Sequence, residues 1–136
     1  MSAEELVEPY LARIAADWIA YFSAPEDTRD GQPALFNPFG VVCELVQHSP
    51  LFAWDLIHFI LAQDKDGRSL DVLAAGPLED FISAHGSEWI EDIEESARGN
   101  PRFRSLLAGT CQLGAPDDVW ARIVATRGDA IPFQSQ

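Results

Sequence analysis

The stretch LDVLAAGPLEDFISAHG, residues 70–86, decides the fold because it contains one predicted helix start and two predicted helix ends. Gly76-Pro77 is expected to end one short helix and start another, since proline is tolerated in the first helical turn, where its N–H is not needed. Gly86 predicts the left-handed residue that closes the second helix. Between them, inward-facing side chains recur at helical spacing: Leu78, Phe81, Ile82 and His85.

Similar helix starts occur on both sides of this stretch. Three of them pair an N-cap residue with a proline, namely Asn37-Pro38, Ser49-Pro50 and Asn100-Pro101. Further starts are predicted at Ser2, Ser69, Ser87 and Pro116. No segment alternates apolar and polar residues for long enough to predict a strand. We therefore predict an all-α fold of roughly seven or eight helices, either an irregular bundle or a short stack of antiparallel helical hairpins.

Length and hydropathy predict a single domain over the 136 residues. The first helix should end near Ser23, and residues 25–36 should form the longest loop. The helix over 51–62 is apolar almost all round and should be the most buried. Trp54 and Trp89 are expected to anchor the core, and residues 129–136 should form a loose tail.

Charge limits the classes of partner. The formal net charge is −13, with 22 acidic residues against 9 basic ones. Such a chain repels nucleic acid and anionic membranes and attracts a basic partner. The apolar segment 51–62 is too short to span a bilayer, and no signal peptide is evident. We expect a soluble cytoplasmic protein with no nucleic-acid or membrane partner.

The two cysteines, Cys43 and Cys111, each lie on an apolar helical stripe and are expected to face inward. No Cys-x-x-Cys pair occurs, so the sequence indicates neither a zinc site nor a redox motif. A disulfide between the two remains open at this stage. No cofactor and no metal is predicted.

Two groups of side chains are candidates for chemistry in a cleft. Asp55 and His58 are three residues apart on the most apolar helix, a spacing that suits a general-base pair or simply the exposed edge of that helix. The second group is Glu79, Asp80 and His85. Its acids suit the N-terminus of a short helix and its histidine the C-terminus, so capping competes with a binding role.

A small basic cluster brackets the start of a later helix: Arg98, Arg102 and Arg104. It could hold a phosphate near the helix N-terminus, but pairing with the preceding acidic helix is the favoured interpretation.

The strongest surface signal is an acidic face on the helix expected after Ser87. We define the acidic face by its five carboxylates: Glu88, Glu91, Asp92, Glu94 and Glu95. No lysine occurs between Gly67 and the C-terminus to intersperse these charges. The face is either a solvated surface or a docking surface for a basic protein.

Several short motifs resemble those of a family of small bacterial proteins whose function is unknown. They are AAGPLED at 74–80, HG at 85–86, the segment 90–93, PRFR at 101–104 and PDDVW at 116–120. The likeness covers residues 54–122. It implies a bacterial, helical protein, and it implies neither an activity nor any catalytic residue.

Three functional hypotheses follow. The first is a non-enzymatic interaction protein that binds a basic partner, as bacterial immunity proteins do. The second is a small enzyme or ligand-binding protein with an acid/histidine cleft built from the two groups above. The third is a structural subunit of a homo-oligomer.

Overall fold

The computed structural model describes residues 3–25, 29 and 36–135. Its described residues form helices and no strand, which confirms the all-α prediction. Their contacts divide the chain into two compact units, Met1–Ser69 and Leu70–Gln136. The single domain remains a prediction. None of the described helices is both long and apolar enough to cross a membrane.

The first unit contains helices α1 (Ala3–Ser23), α2 (Phe39–His48) and α3 (Pro50–Gln63). Both α1 and α2 pack against α3. Helix α1 ends at Ser23, as predicted. Most of the predicted loop 25–36 lies outside the described residues, and so does the Ser2 of the predicted N-terminal cap. The core consists of side chains from all three helices, including Trp18, Val42, Val46, Leu56, Ile57 and Ile60.

The predicted starts of α2 and α3 are nearly correct. Ser49 is the N-cap of α3 and Pro50 its first residue, as predicted. Helix α2 begins at Phe39 with Pro38 as its N-cap, one residue later than predicted. Asn37 still acts as a cap, because its Oδ1 accepts a hydrogen bond from the Phe39 N–H at 3.0 Å.

Tryptophan burial differs from the prediction. Trp54 and Trp89 are half-buried, whereas Trp18 on α1 is fully buried. The Trp18 indole Nε1–H donates to the carbonyl of Ser69 at 3.3 Å. This bond gives the polar atom of a buried indole the partner that burial requires.

The second unit begins with α4 (Leu70–Leu73), which continues through a π-helical turn (Ala74–Leu78) into α5 (Glu79–Gly99). It is completed by α6 (Pro101–Ala108), α7 (Asp117–Arg127) and a 3₁₀ turn (Phe133–Ser135). Helix α5 packs against both α6 and α7. Its buried side chains include Phe81, Ile82, Ile90, Ile93 and Ala97.

The predicted break at Gly76-Pro77 is wrong, because the helix runs through it as a π-helical turn. The N–H of Glu79 donates to the carbonyl of Ala74, five residues back, so the turn is widened by one residue. Such widening accommodates a proline whose ring and missing N–H would disrupt a regular α-helix. When α4, the π-helical turn and α5 are counted as one continuous run, the described residues form six helices, close to the seven or eight predicted.

The predicted helix end at Gly86 and the predicted start at Ser87 are also wrong. Both residues lie inside α5, and Gly86 is buried. A Cβ atom built on Gly86 would lie 3.0 Å from Cγ1 of Val119 on α7. The glycine therefore permits a close approach of two helices rather than a left-handed turn.

Later boundaries are confirmed. Asn100 caps α6 with its side-chain oxygen, which accepts from the N–H groups of Arg102 and Phe103. Helix α7 begins after Pro116 and ends at Gly128, whose φ is +54°.

The full burial predicted for the two cysteines is not observed. Cys111 is exposed and Cys43 is half-buried, and the two are not joined by a disulfide. Cys111 is exposed because α6 ends at Ala108, before this residue is reached. Cys43 does lie on α2, where helical spacing overestimates how much of the helix surface is covered.

Candidate functional site

Helix α5 carries the acidic face on a scaffold fixed by burial. Ile90 and Ile93 are 5% and 0% exposed, so they hold the helix against the rest of its unit. Because side chains three and four residues apart share one side of a helix, the carboxylates between them project outward. Four of the five are exposed, and Glu94 is half-buried.

Glu94 differs from the other four because Arg122 on α7 binds it with two hydrogen bonds. Arg122 Nε donates to Oε2 at 3.0 Å, and Arg122 Nη2 donates to Oε1. These bonds lower the pKa of the Glu94 carboxyl and raise the pKa of the Arg122 guanidinium. The sequence did not reveal this pairing, because the partners are 28 residues apart and the packing of α5 on α7 was unknown.

The remaining four carboxylates form what we call the acidic stripe: Glu88, Glu91, Asp92 and Glu95. Their spacing of three and four residues aligns them over about 10 Å of helix. None of them makes an ion pair within 4 Å anywhere in the part of the chain that the structure describes. Glu91 and Asp118 both lie near enough to help raise the pKa of Arg122, so the start of α7 extends this negative surface.

Asp55 and His58, in the first unit, differ in their surroundings. Asp55 is exposed, whereas His58 is half-buried and its ring meets Trp54 edge-on at 4.4 Å between centroids. Burial lowers the pKa of His58 to about 4, so the imidazole is neutral at pH 7. A base this weak is a poor acceptor for a proton at neutral pH.

In the second unit, Glu79 is used structurally. The residue is 7% exposed, and its carboxylate accepts a hydrogen bond from the backbone N–H of Cys111, in the loop after α6. Of the two roles considered from the sequence, capping of its own helix and binding, this bond matches neither, since it joins α5 to a distant loop. Asp80 is half-buried, and this burial raises the pKa of its carboxyl. His85 meets the Phe81 ring edge-on at 5.4 Å.

These side chains do not form a metal centre. Across the described residues, no group of three His, Cys, Asp or Glu side chains is arranged to hold a metal ion. The acid/histidine cleft of the second hypothesis draws on residues of both units. Of its named side chains, Glu79 bonds to the loop after α6, and His58 and His85 contact aromatic rings.

The arginine cluster is divided by the fold. Arg102 lies over the ring of Phe133, with its guanidinium carbon 5.6 Å from the ring centroid. Arg98 and Arg104 instead line a surface cleft of about 330 Å³, together with Glu94, Ala97, Ala125 and Thr126. Arg104 Nη1 donates to the backbone carbonyl of Ala97, near the end of α5, at 3.0 Å. Pairing of the cluster with the carboxylates of the acidic helix stays a prediction.

Comparison with known proteins identifies a family. The model of a family of unknown function, DUF6869, matches residues 26–131 of this chain. No curated protein matches the chain. No solved structure matches it either. Since the match covers most of the sequence, the chain belongs to DUF6869.

Proposed function

We propose that this member of DUF6869 is a non-enzymatic protein-interaction module that binds a basic partner protein through its acidic stripe. The observation that carries the proposal is the contrast between Glu94 and the stripe. Glu94 is bound by Arg122, whereas the stripe carboxylates make no ion pair among the described residues. A basic surface could therefore approach them without displacing an internal partner.

Repulsion between the carboxylates of the acidic stripe favours the binding of a cationic partner. Like charges three and four residues apart on a helix oppose one another by a few tenths of a kcal/mol per pair, so the stripe slightly destabilises the free protein. A cationic partner relieves that repulsion. Complementary charge mainly accelerates association, and salt weakens this effect.

Burial below the stripe supports the same role. Ile90, Ile93 and Ala97 fix the inner side of α5, and the Glu94–Arg122 pair links α5 to α7. The stripe is thus presented on a packed helix rather than on a loop, so little ordering is required when a partner binds. Neutralisation of a basic toxin, as immunity proteins perform, is the specific form of this role that we favour.

The test compares two variants with equal changes in charge. One is Glu91→Lys/Asp92→Lys/Glu95→Lys. The matched control is Glu44→Lys/Asp55→Lys/Asp66→Lys, which alters three carboxylates of the first unit. A partner is captured from an extract of the source organism with the wild type, identified, purified and measured by surface plasmon resonance.

We expect the stripe variant to reduce the association rate at least tenfold at low salt, and the control to retain most of it. Added salt should reduce the difference between the two. Circular dichroism verifies that both variants fold. Equal association rates for the two variants would contradict the proposal, because the effect would then follow net charge alone.

A homo-oligomeric subunit is the second candidate, favoured by exposed apolar side chains in the first unit. Tyr10 is 53% exposed and Leu51 is 67% exposed. Self-association would cover them, although two copies of a chain with a net charge of −13 repel each other. Light scattering at high and low salt tests this candidate: a dimer that forms at high salt supports it, and a monomer under both conditions contradicts it.

A further inference from the structure

The cleft between α5, α6 and α7 differs in charge from the rest of this acidic chain. Its lining contains two guanidinium groups, Arg98 and Arg104, against one carboxylate, Glu94. That carboxylate is already bound by the two hydrogen bonds from Arg122. The cleft therefore concentrates cationic hydrogen-bond donors in a protein whose net charge is −13.

The donors of both arginines are largely unused within the described residues. A guanidinium has five N–H donors. Arg104 uses one of them on the carbonyl of Ala97, a bond that also holds its side chain in place. Arg98 is exposed and makes no hydrogen bond or ion pair within the part of the chain that the structure describes.

The other lining residues leave room beside these donors. Ala97 and Ala125 have the smallest side chains that carry a Cβ, and they occupy different helices, α5 and α7. The Thr126 hydroxyl donates to the carbonyl of Arg122 at 2.6 Å, so it is held in one orientation. The volume of about 330 Å³ lies at the lower end of the range for small-molecule pockets.

We propose that this cleft binds a small oxyanion, a phosphate or carboxylate group of a ligand, through the guanidinium groups of Arg98 and Arg104. Arginine suits this task because its planar fork donates two parallel hydrogen bonds to such a group. Glu94 also borders the site, but its charge is compensated by the two hydrogen bonds from Arg122, which reduces its repulsion of a bound anion. The site does not depend on the proposed protein partner, since none of the four stripe carboxylates lines it.

The experiment follows arginine side chains directly by NMR. The full chain is titrated with sodium phosphate and, separately, with sodium citrate, while sodium chloride keeps the ionic strength constant. Saturable shifts of the Arg98 and Arg104 Nε–H signals and of the Ala125 and Thr126 amides are expected with at least one of the two. The anion that saturates identifies the ligand as phosphate-like or carboxylate-like.

Variants then locate the site. Arg98→Gln should weaken binding about tenfold, because a charged hydrogen bond is lost, and Arg98→Lys should recover part of the affinity. Arg68→Gln removes an arginine of the first unit and should leave binding unchanged.

The stripe variant with three lysines should bind the anion at least as well as the wild type, which separates this site from the protein interaction. Linear, non-saturating shifts with both anions, or equal affinity in Arg98→Gln and the wild type, would overturn the proposal.

Discussion

Two buried carboxylates, one in each unit, stabilise loops in different ways. Asp64 is 4% exposed and accepts hydrogen bonds from the Gly67 N–H, the Ser69 N–H and the Ser69 hydroxyl, at 2.9, 2.9 and 2.6 Å. Glu79 is 7% exposed and accepts from the Cys111 N–H, 32 residues along the chain. Asp64 therefore stabilises the loop formed by the residues that follow it, whereas Glu79 connects α5 to a loop that is distant in the sequence.

The comparison shows how buried acids are tolerated. An ionised carboxylate away from water is costly unless hydrogen bonds satisfy its oxygens. The donors to Asp64 lie within five residues of it, so this loop can form its hydrogen bonds from the residues that directly follow α3. Glu79 obtains its donor only when α6 has packed and the chain has returned to α5. Substitutions at the two positions should therefore differ in how much they lower the free energy of unfolding and in which variant restores it.

The largest effect is expected for Asp64→Ala, which leaves the N–H and hydroxyl of fully buried Ser69 without their acceptor. Each unsatisfied buried group costs about 1–3 kcal/mol. We expect the free energy of unfolding to fall by about 3 kcal/mol or more in urea denaturation. Asp66→Ala, two residues away and exposed, should change it by less than about 0.5 kcal/mol. A loss below about 1 kcal/mol for Asp64→Ala would show that the loop does not depend on this acid.

Acid should weaken the first unit through His58, on the helix that precedes the Asp64 loop. The pKa of His58 is about 4 in the folded chain, against an ordinary value of 6.5, so the unfolded chain binds the proton more readily. Stability from the neutral imidazole is complete above pH 6.5 and is lost as the pH falls towards 4. At pH 5 the loss is about 2 kcal/mol relative to pH 7.

The check is the pH dependence of urea unfolding in the wild type and in His58→Gln. The variant should lack the part of the slope between pH 6.5 and 4 that His58 contributes. Identical slopes in the two proteins would mean that His58 is protonated as easily in the folded chain as in the unfolded one.

Glu79→Ala should have a smaller effect than Asp64→Ala, because one hydrogen bond is lost rather than three and Cys111 is an exposed residue that water can reach. We expect a loss of about 1.5 kcal/mol. Glu79→Gln retains an oxygen acceptor and should recover at least half of it. Glu88→Ala, exposed on the same helix, is the control. If Glu79→Gln lowers the free energy of unfolding as much as Glu79→Ala does, then the hydrogen bond to Cys111 is not the source of the stability that Glu79 provides.

The distinction between local and long-range contacts also separates the features that the sequence predicts from those that it does not. Helix starts at Ser49-Pro50, Asn100-Pro101 and Pro116 were predictable, because caps and prolines act on neighbouring residues. The start predicted at Ser69 is nearly right, since α4 begins at Leu70, yet its side chain bonds to Asp64. These are local interactions, and local interactions can be read from the order of residues.

Contacts between distant segments could not be read in this way. The five carboxylates of the acidic face were predicted, but the selective binding of Glu94 by Arg122 depends on how α5 meets α7. The residues of the cleft come from three helices whose packing the sequence did not reveal. Gly76 and Gly86 were interpreted as local signals, although one lies in a continuous helical run and the other lies at a helix–helix contact.

The smallest expected effect tests that helix–helix contact. Alanine is favoured over glycine inside a helix by up to about 1 kcal/mol, so Gly86→Ala would stabilise a helix that had free space there. The added Cβ would lie 3.0 Å from Val119 Cγ1 and 3.4 Å from Ile82 Cγ2, and both neighbours are buried. Since overpacking of a buried contact costs about 1–3 kcal/mol, we expect a net loss of about 1 kcal/mol.

A double-mutant cycle with Val119→Ala isolates the cause. Val119→Ala removes the Cγ1 atom, so Gly86→Ala should be neutral or stabilising in that background, with a coupling energy of about 1–2 kcal/mol. Gly99→Ala, at the end of the same helix with nothing within 4 Å of its added Cβ, is the control for propensity alone. If Gly86→Ala has the same effect with and without the valine, then the two helices do not meet at this glycine, and close packing of α5 on α7 is not what the position requires.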